Sequence, residues 1–300
     1  MKHTLSAIVV LALAGAAHAT LIAADSYLDS GPGSYTAGGL NGQNPSISPG
    51  WTAGNAWSVG SANLQADSGT LTNGALDHPT GGKGKYIASS VDFYRAGHHK
   101  IDSYTPSDTY YMSFLVNPGG SFLSTGSREH AVVGFSNFFA GKNEFENTGA
   151  ASEVYGLFTG FTEGAPGEAD LIMRARNGAG DLEDTLLVSS VDNRTMHVMF
   201  RLDVNVGGGS VDEVTYWINP SDISSEAQAT ATAEATGMVN TFAMDQNNRI
   251  DRAYALTNDW ARTFFWDETR LGTTFGDVVP EPATLGFIAL GGIAVLRRRR

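Results

Sequence analysis

Two pairs of acidic residues have the type and spacing that acid–base chemistry on a glycosidic bond requires. Glu144 and Glu146 are separated by one residue, as are Asp181 and Glu183, so on a strand both members of a pair would point to the same face. Two carboxylates about 5 to 5.5 Å apart would suit a retaining glycosidase. Both pairs lie in polar sequence without a strand pattern, and we therefore interpret them as solvated loop residues.

A third acidic pair, Asp267 and Glu268, is adjacent, so its members would point to opposite faces of a strand. Catalysis would then need a carboxylate from another strand, which the sequence does not identify. A structural role is more economical, with a carboxylate accepting hydrogen bonds from backbone N–H groups or from Arg270. The sequence accordingly gives no catalytic residue.

Histidines could contribute to a transition-metal site, but their spacing does not define one. His98 and His99 lie in a basic patch, and Asp102 is the one carboxylate close to them in the sequence. A zinc site needs further ligands, which would have to come from the scattered His78, His130 and His197. The absence of cysteine excludes thiol chemistry. The metal content is therefore left open.

One segment resembles the opening of a calcium loop, with Asp203, Asn205 and the glycines that follow. The bidentate glutamate expected at the twelfth position is replaced by Val214. A β-hairpin explains the same residues, so we place no calcium here. The sequence identifies no cofactor and leaves calcium open elsewhere, because the chain is acidic.

Aromatic rings that stack on sugars offer a further kind of site. Trp217 is the candidate carbohydrate platform, because strand alternation puts it on the face opposite Val214, Tyr216 and Ile218. The alternative is a tryptophan covered by loops. The chain has four other tryptophans, Trp51, Trp57, Trp260 and Trp266.

The elements that would position these residues are strands. From Met196 to Val206 apolar and polar residues alternate, which predicts a strand with one buried face. A Gly-Gly-Gly-Ser turn and a return strand from Val211 to Asn219 predict a long hairpin. Ser221 to Gly237 is predicted to be a loop or a short helix. Further strands are predicted at 57–59, 87–93, 110–116, 131–135, 153–161, 171–176, 186–191, 252–256 and 263–271.

Roughly a dozen strands with 36 glycines among them predict an all-β fold, a two-sheet antiparallel jelly-roll sandwich. The hairpin with Asp212-Glu213 and Trp217-Ile218-Asn219-Pro220, and the later run from Phe265 to Thr274, is similar to concanavalin A-like and laminin-G jelly rolls. The resemblance covers the last third of the chain and departs from the pattern at Trp266. It implies that the terminal strand pairs near the N-terminal strand.

Both ends of the chain carry export features. Lys2 and His3 precede an apolar run from Leu5 to Ala14, and Ala17-His18-Ala19 forms a small-x-small signal peptidase site. We expect a signal helix and cleavage after Ala19, so that residues 1–19 are a signal peptide. The export machinery and signal peptidase are the partners that this segment implies.

The last 21 residues contain three parts in a fixed order. Pro280-Glu281-Pro282 is followed by the apolar run Leu285 to Leu296 and by the arginines Arg297, Arg298, Arg299 and Arg300. Twelve residues give a hydrophobic helix of about 18 Å, short of a hydrocarbon core of about 30 Å. The arginines orient the segment with its body away from the cytoplasm. We expect at least transient membrane contact.

This order resembles the PEP-CTERM sorting signal of Gram-negative bacterial surface proteins. The resemblance implies that an exosortase, a membrane-embedded cysteine protease, processes residues 280–300 around Pro280, Glu281 and Pro282. It also implies that the body passes from the inner membrane to the cell surface or the extracellular matrix. The alternative is a C-terminal anchor that stays in place.

Residues 20–279 are expected to form one domain. Without the signal peptide and the terminal arginines, 14 basic residues face 31 acidic residues, so this body carries a charge near −17 and repels nucleic acid. Two hypotheses follow. The favoured one is a non-enzymatic surface or matrix protein that acts by binding or structure. The other is a secreted enzyme or binding protein for an extracellular polysaccharide on the same fold, with two carboxylates or a Tyr/His pair in a groove.

Overall fold

The computed structural model describes residues 21–25, 35–43, 57–59, 64–73, 82–86, 95–101, 107–119, 130–136, 156–164, 168–176, 182–191, 193–204, 206, 211–242, 250, 252–258 and 263–279. In this part of the chain the elements are β1 (Leu21–Asp25), β2 (Gly38–Gly39), β3 (Ser58–Val59), β4 (Leu64–Ser68), β5 (Gly82–Tyr86), β6 (Arg95–Lys100), β7 (Thr109–Asn117), β8 (His130–Ser136), β9 (Gly156–Glu163), β10 (Ala169–Arg176), β11 (Leu182–Val188), β12 (Met196–Asp203), β13 (Val211–Ile218), α1 (Glu226–Thr232), β14 (Ala235–Phe242), β15 (Arg252–Asn258), β16 (Phe264–Gly272) and α2 (Phe275–Val278).

The strands form two sheets in which neighbouring strands are antiparallel. Sheet I has the order β14-β13-β12-β7-β16-β5-β4-β2, with β1 also paired to β16. Sheet II has the order β11-β10-β9-β8-β15-β6-β3. The predicted all-β class is confirmed. So is the pairing of the terminal strand with an N-terminal strand, because Asp25 of β1 lies opposite Thr269 of β16.

The main core lies between the two sheets and is built by strand alternation. On β12, Met196, Val198, Phe200 and Leu202 are buried in this core, as the period-two pattern predicts. The prediction that β12 has one buried face is wrong, because His197 and Met199 on its other face are also fully buried.

The second face of β12 is buried because the chain after β13 folds back over the outer face of sheet I. Ser225 caps α1 by accepting a hydrogen bond from the Gln228 backbone N–H. Met199 and Trp217 of sheet I form a small apolar cluster with Ala229 of α1 and Val278 of α2. A polar-looking segment therefore covers this face, and the residues below it are core residues.

Most predicted strands are present, with some differences. The long hairpin is confirmed as β12 and β13, whose register pairs Phe200 with Tyr216. The strand predicted at 186–191 lies earlier, at Leu182–Val188. The helix predicted as one option in 221–237 is α1, but β14 begins inside that range at Ala235. The strand predicted at 87–93 lies outside the described residues.

The predicted signal helix and the predicted C-terminal hydrophobic helix also lie outside the described residues. Neither α1 nor α2, the two helices in the described part of the chain, has the length and hydrophobicity needed to cross a bilayer.

Candidate functional site

The centre of sheet I contains an irregularity in β16. The register to β7 runs from Asp267 opposite Leu115 to Arg270 opposite Ser113, so two residues of β16 face one residue of β7. Glu268, one of the two, has a φ of 47°, in the left-handed region. On its other side β16 pairs with β5 up to Trp266 and with β1 from Thr269 onward. The bulge therefore lies where β16 changes its neighbour.

Asp267 compensates for this break in the ladder. Its Oδ2 accepts a hydrogen bond from the Leu71 backbone N–H at 3.1 Å, and its Oδ1 accepts one from the Glu268 backbone N–H at 2.8 Å. A backbone N–H that is buried without a partner would cost free energy comparable to a lost hydrogen bond. The predicted structural role of Asp267, as an acceptor for backbone N–H groups, agrees with this geometry.

The same region concentrates buried acidic charge. Asp25, Asp267 and Glu268 are each at most 1 % exposed. Glu268 Oε2 accepts hydrogen bonds from Arg270 Nε and Nη2 at 3.2 and 3.1 Å, as the sequence predicts for this arginine. Burial first, and then the neighbouring Glu268 and Asp25, hold the pKa of the Asp267 carboxyl well above its usual range.

Asp25 extends the polar centre towards the main core. Its Oδ2 accepts a hydrogen bond from the Tyr35 hydroxyl at 2.5 Å, and that hydroxyl accepts one from Trp57 Nε1 at 2.9 Å. All three side chains are buried. The chain of contacts fixes β1 and the segments around Tyr35 and Trp57 to one another, which is a structural function.

On the outer face of sheet I a serine and a histidine are paired. Ser113 Oγ and His197 Nε2 are 3.0 Å apart, the distance at which a histidine can act as base for a serine nucleophile. Burial, and then the nearby Arg270, lower the pKa of His197 to about 3. The imidazole is therefore neutral at physiological pH, and the pair could in principle exchange a proton.

Two observations argue against nucleophilic catalysis by this pair. Ser113 is 1 % exposed and His197 fully buried, so a substrate carbonyl has no approach to Oγ in this conformation. Within the described residues, His197 Nδ1 also has no hydrogen-bond partner that would orient the ring. The pair joins β7 to β12 beneath the covering segment.

The prediction that Trp217 is a carbohydrate platform is wrong. The indole is 1 % exposed, its Nε1 donates to Thr230 Oγ1 at 2.8 Å, and the Phe275 ring meets it edge-on at 5.7 Å. A sugar cannot stack on this face because α1 and α2 already cover it. The alternative, a tryptophan covered by another segment, is correct.

The outer face of sheet II carries a second arrangement. Its described residues Val132, Phe158, Ile172 and Tyr254 form a buried cluster. Gly134 lies between Tyr254 and Phe158 in the strand register, and Gly160 lies between Val132 and Ile172. A Cβ on either glycine would come within 2.2 Å of a backbone carbonyl oxygen on the neighbouring strand. This face is therefore closely packed.

Charged and titratable residues of sheet II lie opposite one another on neighbouring strands. Tyr254 of β15 lies opposite His98 of β6, and Arg252 lies opposite Lys100. In the row of Tyr254, further along the sheet, Arg174 binds Asp184 through two hydrogen bonds of 2.6 Å. A tyrosine and a histidine thus occupy opposed backbone positions, one of the pairs that the enzymatic hypothesis requires.

The other predicted site residues are distributed as follows. Asp203 lies at the end of β12, in the predicted hairpin; its carboxylate accepts a hydrogen bond from Thr109 Oγ1 of β7 at 2.7 Å and pairs with Arg201 at 2.8 Å. The interpretation of Glu183 as a loop residue is wrong, because it lies on β11. The described residues do not include Asp181, Glu144, Glu146, Ala17, Ala19, residues 280–282 or residues 297–300. Among the residues described, no group of three or more His, Asp or Glu side chains could hold a metal ion.

The last described helix is α2, which the sequence analysis does not predict. Phe275 packs edge-on against Trp217 and Tyr111, and Val278 is fully buried. Asp277 Oδ2 accepts hydrogen bonds from the backbone N–H groups of Thr273 and Thr274 at 3.0 and 2.8 Å. The sequence contains a sign of this turn, because Thr274 and Asp277 have the spacing of a helix capping box.

Comparison with known proteins identifies the C-terminal segment. Residues 278–300 match the PEP-CTERM protein-sorting motif. The motif indicates an exported protein that is sorted at its C-terminus. No curated protein sequence matches the chain.

Solved structures with a similar backbone path include an alginate lyase, a carbohydrate esterase and a calreticulin domain. The PL-14 alginate lyase from Aplysia kurodai has a TM-score of 0.42 and 10 % identity, over 71 % of this chain and 87 % of that one. A carbohydrate esterase from bacteriophage phi24B has a TM-score of 0.46 and 10 % identity, over 85 % and 99 %. The globular domain of T. cruzi calreticulin has a TM-score of 0.44 and 7 % identity, over 86 % and 90 %. These similarities assign no activity to this chain.

Proposed function

We propose that this chain is a bacterial surface or extracellular-matrix protein that is sorted and cut at its C-terminal signal. In this proposal residues 1–19 are a signal peptide, residues 20–279 form the mature jelly-roll body, and residues 280–300 are the sorting signal. The observation that carries it is the sorting motif at residues 278–300, which follows directly on a folded body.

The two ends of the chain agree with this assignment. The small-x-small site at Ala17 and Ala19 would release the body outside the cytoplasm, and Arg297 to Arg300 would keep the far end of the tail on the cytoplasmic side. An exosortase-type protease acting at Pro280, Glu281 and Pro282 would then separate body and tail.

A non-enzymatic body is supported by the state of the polar groups in sheet I. Asp267, Glu268, Arg270, Ser113 and His197 bind one another or the backbone, and all but Arg270 are buried. Groups arranged in this way stabilise strands and are not available to a substrate. We infer that the mature body acts by binding or as a structural component.

The second candidate function is activity on an extracellular polysaccharide. It is favoured by one observation, the opposed backbone positions of Tyr254 and His98, with Arg252 and Lys100 opposed beside them. Because the Tyr254 side chain is fully buried, this activity would also require the outer face of sheet II to open to a substrate. A tyrosine and a histidine can serve as acid and base, and cationic residues would suit an acidic sugar.

Processing is tested by changing the motif and following the precursor. Replacement of Pro280, Glu281 and Pro282 by alanine should leave a protein that retains its tail and stays in the membrane fraction. A matched replacement of Thr284, Gly286 and Phe287 by alanine keeps the Pro-Glu-Pro and controls for changes in the tail. Unchanged size and release of the Pro-Glu-Pro variant would overturn the proposal.

The body is tested with a panel of extracellular polysaccharides, with and without calcium, measuring both binding and new reducing ends. Binding without new ends is expected. Release of reducing ends that is lost in Tyr254→Phe would instead establish the second candidate, provided that the variant unfolds at the wild-type temperature.

A further inference from the structure

The sorting motif begins inside the folded body. The match starts at residue 278, and Val278 is fully buried against the outer face of sheet I. Val279 packs against the same apolar cluster, and Pro280 follows it immediately. In the sequence no residue separates the packed Val279 from the Pro-Glu-Pro segment.

Three kinds of contact hold the end of the body in place. The Phe275 ring meets Trp217 at 5.7 Å and Tyr111 at 6.1 Å, both edge-on. Asp277 fixes the turn before α2 through the backbone N–H groups of Thr273 and Thr274. Tyr111 is itself held by α1, because its hydroxyl donates to Glu226 Oε1 at 2.5 Å.

This arrangement conflicts with the needs of a protease. Proteases bind several residues on each side of the cleaved bond in an extended form, and folded segments are cut mainly from their opened state. Residues 275–278 are helical here. Even fully extended, the six steps from Val279 to Leu285 span only about 20 Å. A tail held in the membrane would keep α2 close to the lipid surface.

We propose that α2 is a latch on C-terminal processing. Residues 275–279 must leave the Tyr111 and Trp217 surface before the bonds around Pro280 can enter a membrane protease. The rate of processing then follows the fraction of molecules in which α2 is undocked. This inference rests on the proposed function, and it adds no chemical step to the cleavage of a peptide bond.

Undocking does not require the body to unfold. α2 has four residues and follows β16, which pairs with β7 on one side and with β5 and β1 on the other. Short terminal elements open at lower free energy than strands that are paired on both sides. The latch can therefore open while the two sheets remain intact.

The test measures processing of the full precursor by pulse-chase in Gram-negative cells that also express an exosortase-type protease. Phe275→Ala removes both ring contacts and should raise the processing rate by roughly ten- to a hundredfold, the range set by losing part of a buried aromatic side chain. Phe158→Ala, on the outer face of sheet II, destabilises the body without touching α2 and should change the rate less than about twofold. Equal acceleration by both variants would overturn the latch.

A second arm uses a variant that leaves the body unchanged. Six glycine and serine residues inserted between Val279 and Pro280 would let the protease reach its segment while α2 stays docked. The insertion should accelerate processing about as much as Phe275→Ala, and the two changes together should add little. An insertion without effect, or full additivity, would contradict the proposal.

The alanine replacement of Pro280, Glu281 and Pro282 distinguishes failure of the proposed processing from failure of the α2 latch. If the wild-type precursor is never processed, the proposed function fails, and the latch fails with it. If processing occurs and depends on Pro-Glu-Pro but responds to neither Phe275→Ala nor the insertion, only the latch fails.

Discussion

The outer faces of the two sheets both contain buried side chains, yet the chemistry of these side chains is different. On sheet I the buried side chains include Asp267, His197 and Ser113, whereas on sheet II they are mainly Val132, Phe158, Ile172 and Tyr254. The difference follows from the ladders. β16 changes neighbour in mid-strand, and the Asp267 carboxylate accepts a hydrogen bond from the backbone N–H of Glu268 at this break. β8 and β9 pair without interruption over seven positions, so apolar residues and glycine can fill their face.

The largest effect is expected where the face is apolar. Phe158→Ala should lower the free energy of unfolding by about 3 to 5 kcal/mol, because the ring is buried and its removal leaves a cavity. Chemical denaturation of the purified body measures this. Leu186→Ala is the control on the same sheet, since this side chain is 56 % exposed and should cost less than about 0.5 kcal/mol. Equal costs would mean that the apolar face is not a packed core.

A smaller effect, with a pH dependence, is expected from His197 on sheet I. The pKa of His197 is lowered to about 3, below the value of about 6.5 in an unfolded chain. Between these two pH values the unfolded state therefore binds more protons than the folded state. The contribution of neutral His197 to the free energy of unfolding is therefore present above about pH 6.5. It is lost as the pH falls, by roughly 2 kcal/mol from pH 7 to pH 5.

His197→Gln keeps a group that can bind Ser113 but does not titrate. Unfolding curves between pH 5 and pH 7 should lose this part of the slope in the variant, and His130→Gln provides a control histidine. A variant with the wild-type slope would show that His197 is charged in the folded protein.

Sequence patterns could predict the strands of both faces but only part of their chemistry. Alternation along β12 locates the residues of the main core, and adjacent Asp267 and Glu268 with Arg270 predict a structural role that the hydrogen bonds support. Nothing local indicates that Ser113 meets His197 across 84 positions of sequence. The exposure predicted for Trp217 fails for the same reason, because its cover comes from α1 and α2 through tertiary folding.

A further effect of opposite sign is expected from Asp267. Its pKa is raised, so the folded protein binds the extra proton and stability falls as the pH rises through that pKa. Asp267→Asn removes the titration but loses one of two acceptors for backbone N–H groups, which costs about 1 to 2 kcal/mol at pH 4. The deficit should shrink towards pH 8. A deficit that grows with pH would mean that the ionised carboxylate is the favoured form.

The smallest effect sharpens the contrast, because it concerns the charged pair on the apolar face. Arg174 is 7 % exposed, but the side chain of its partner Asp184 is 39 % exposed. If the Asp184 carboxylate is removed, water can therefore hydrogen-bond to the guanidinium in its place. Asp184→Asn should cost about 1 kcal/mol or less, and the double change Arg174→Met with Asp184→Leu should be nearly neutral in denaturation at pH 7. Asp267→Leu on sheet I keeps the branched shape of the side chain but should remain destabilising, because no apolar side chain can accept hydrogen bonds from the backbone N–H groups of Leu71 and Glu268. If the double change on sheet II lowers the free energy of unfolding as much as Asp267→Leu, the polar groups of the two faces contribute equally to stability. The difference between the faces would then not follow from the break in the strand pairing of β16.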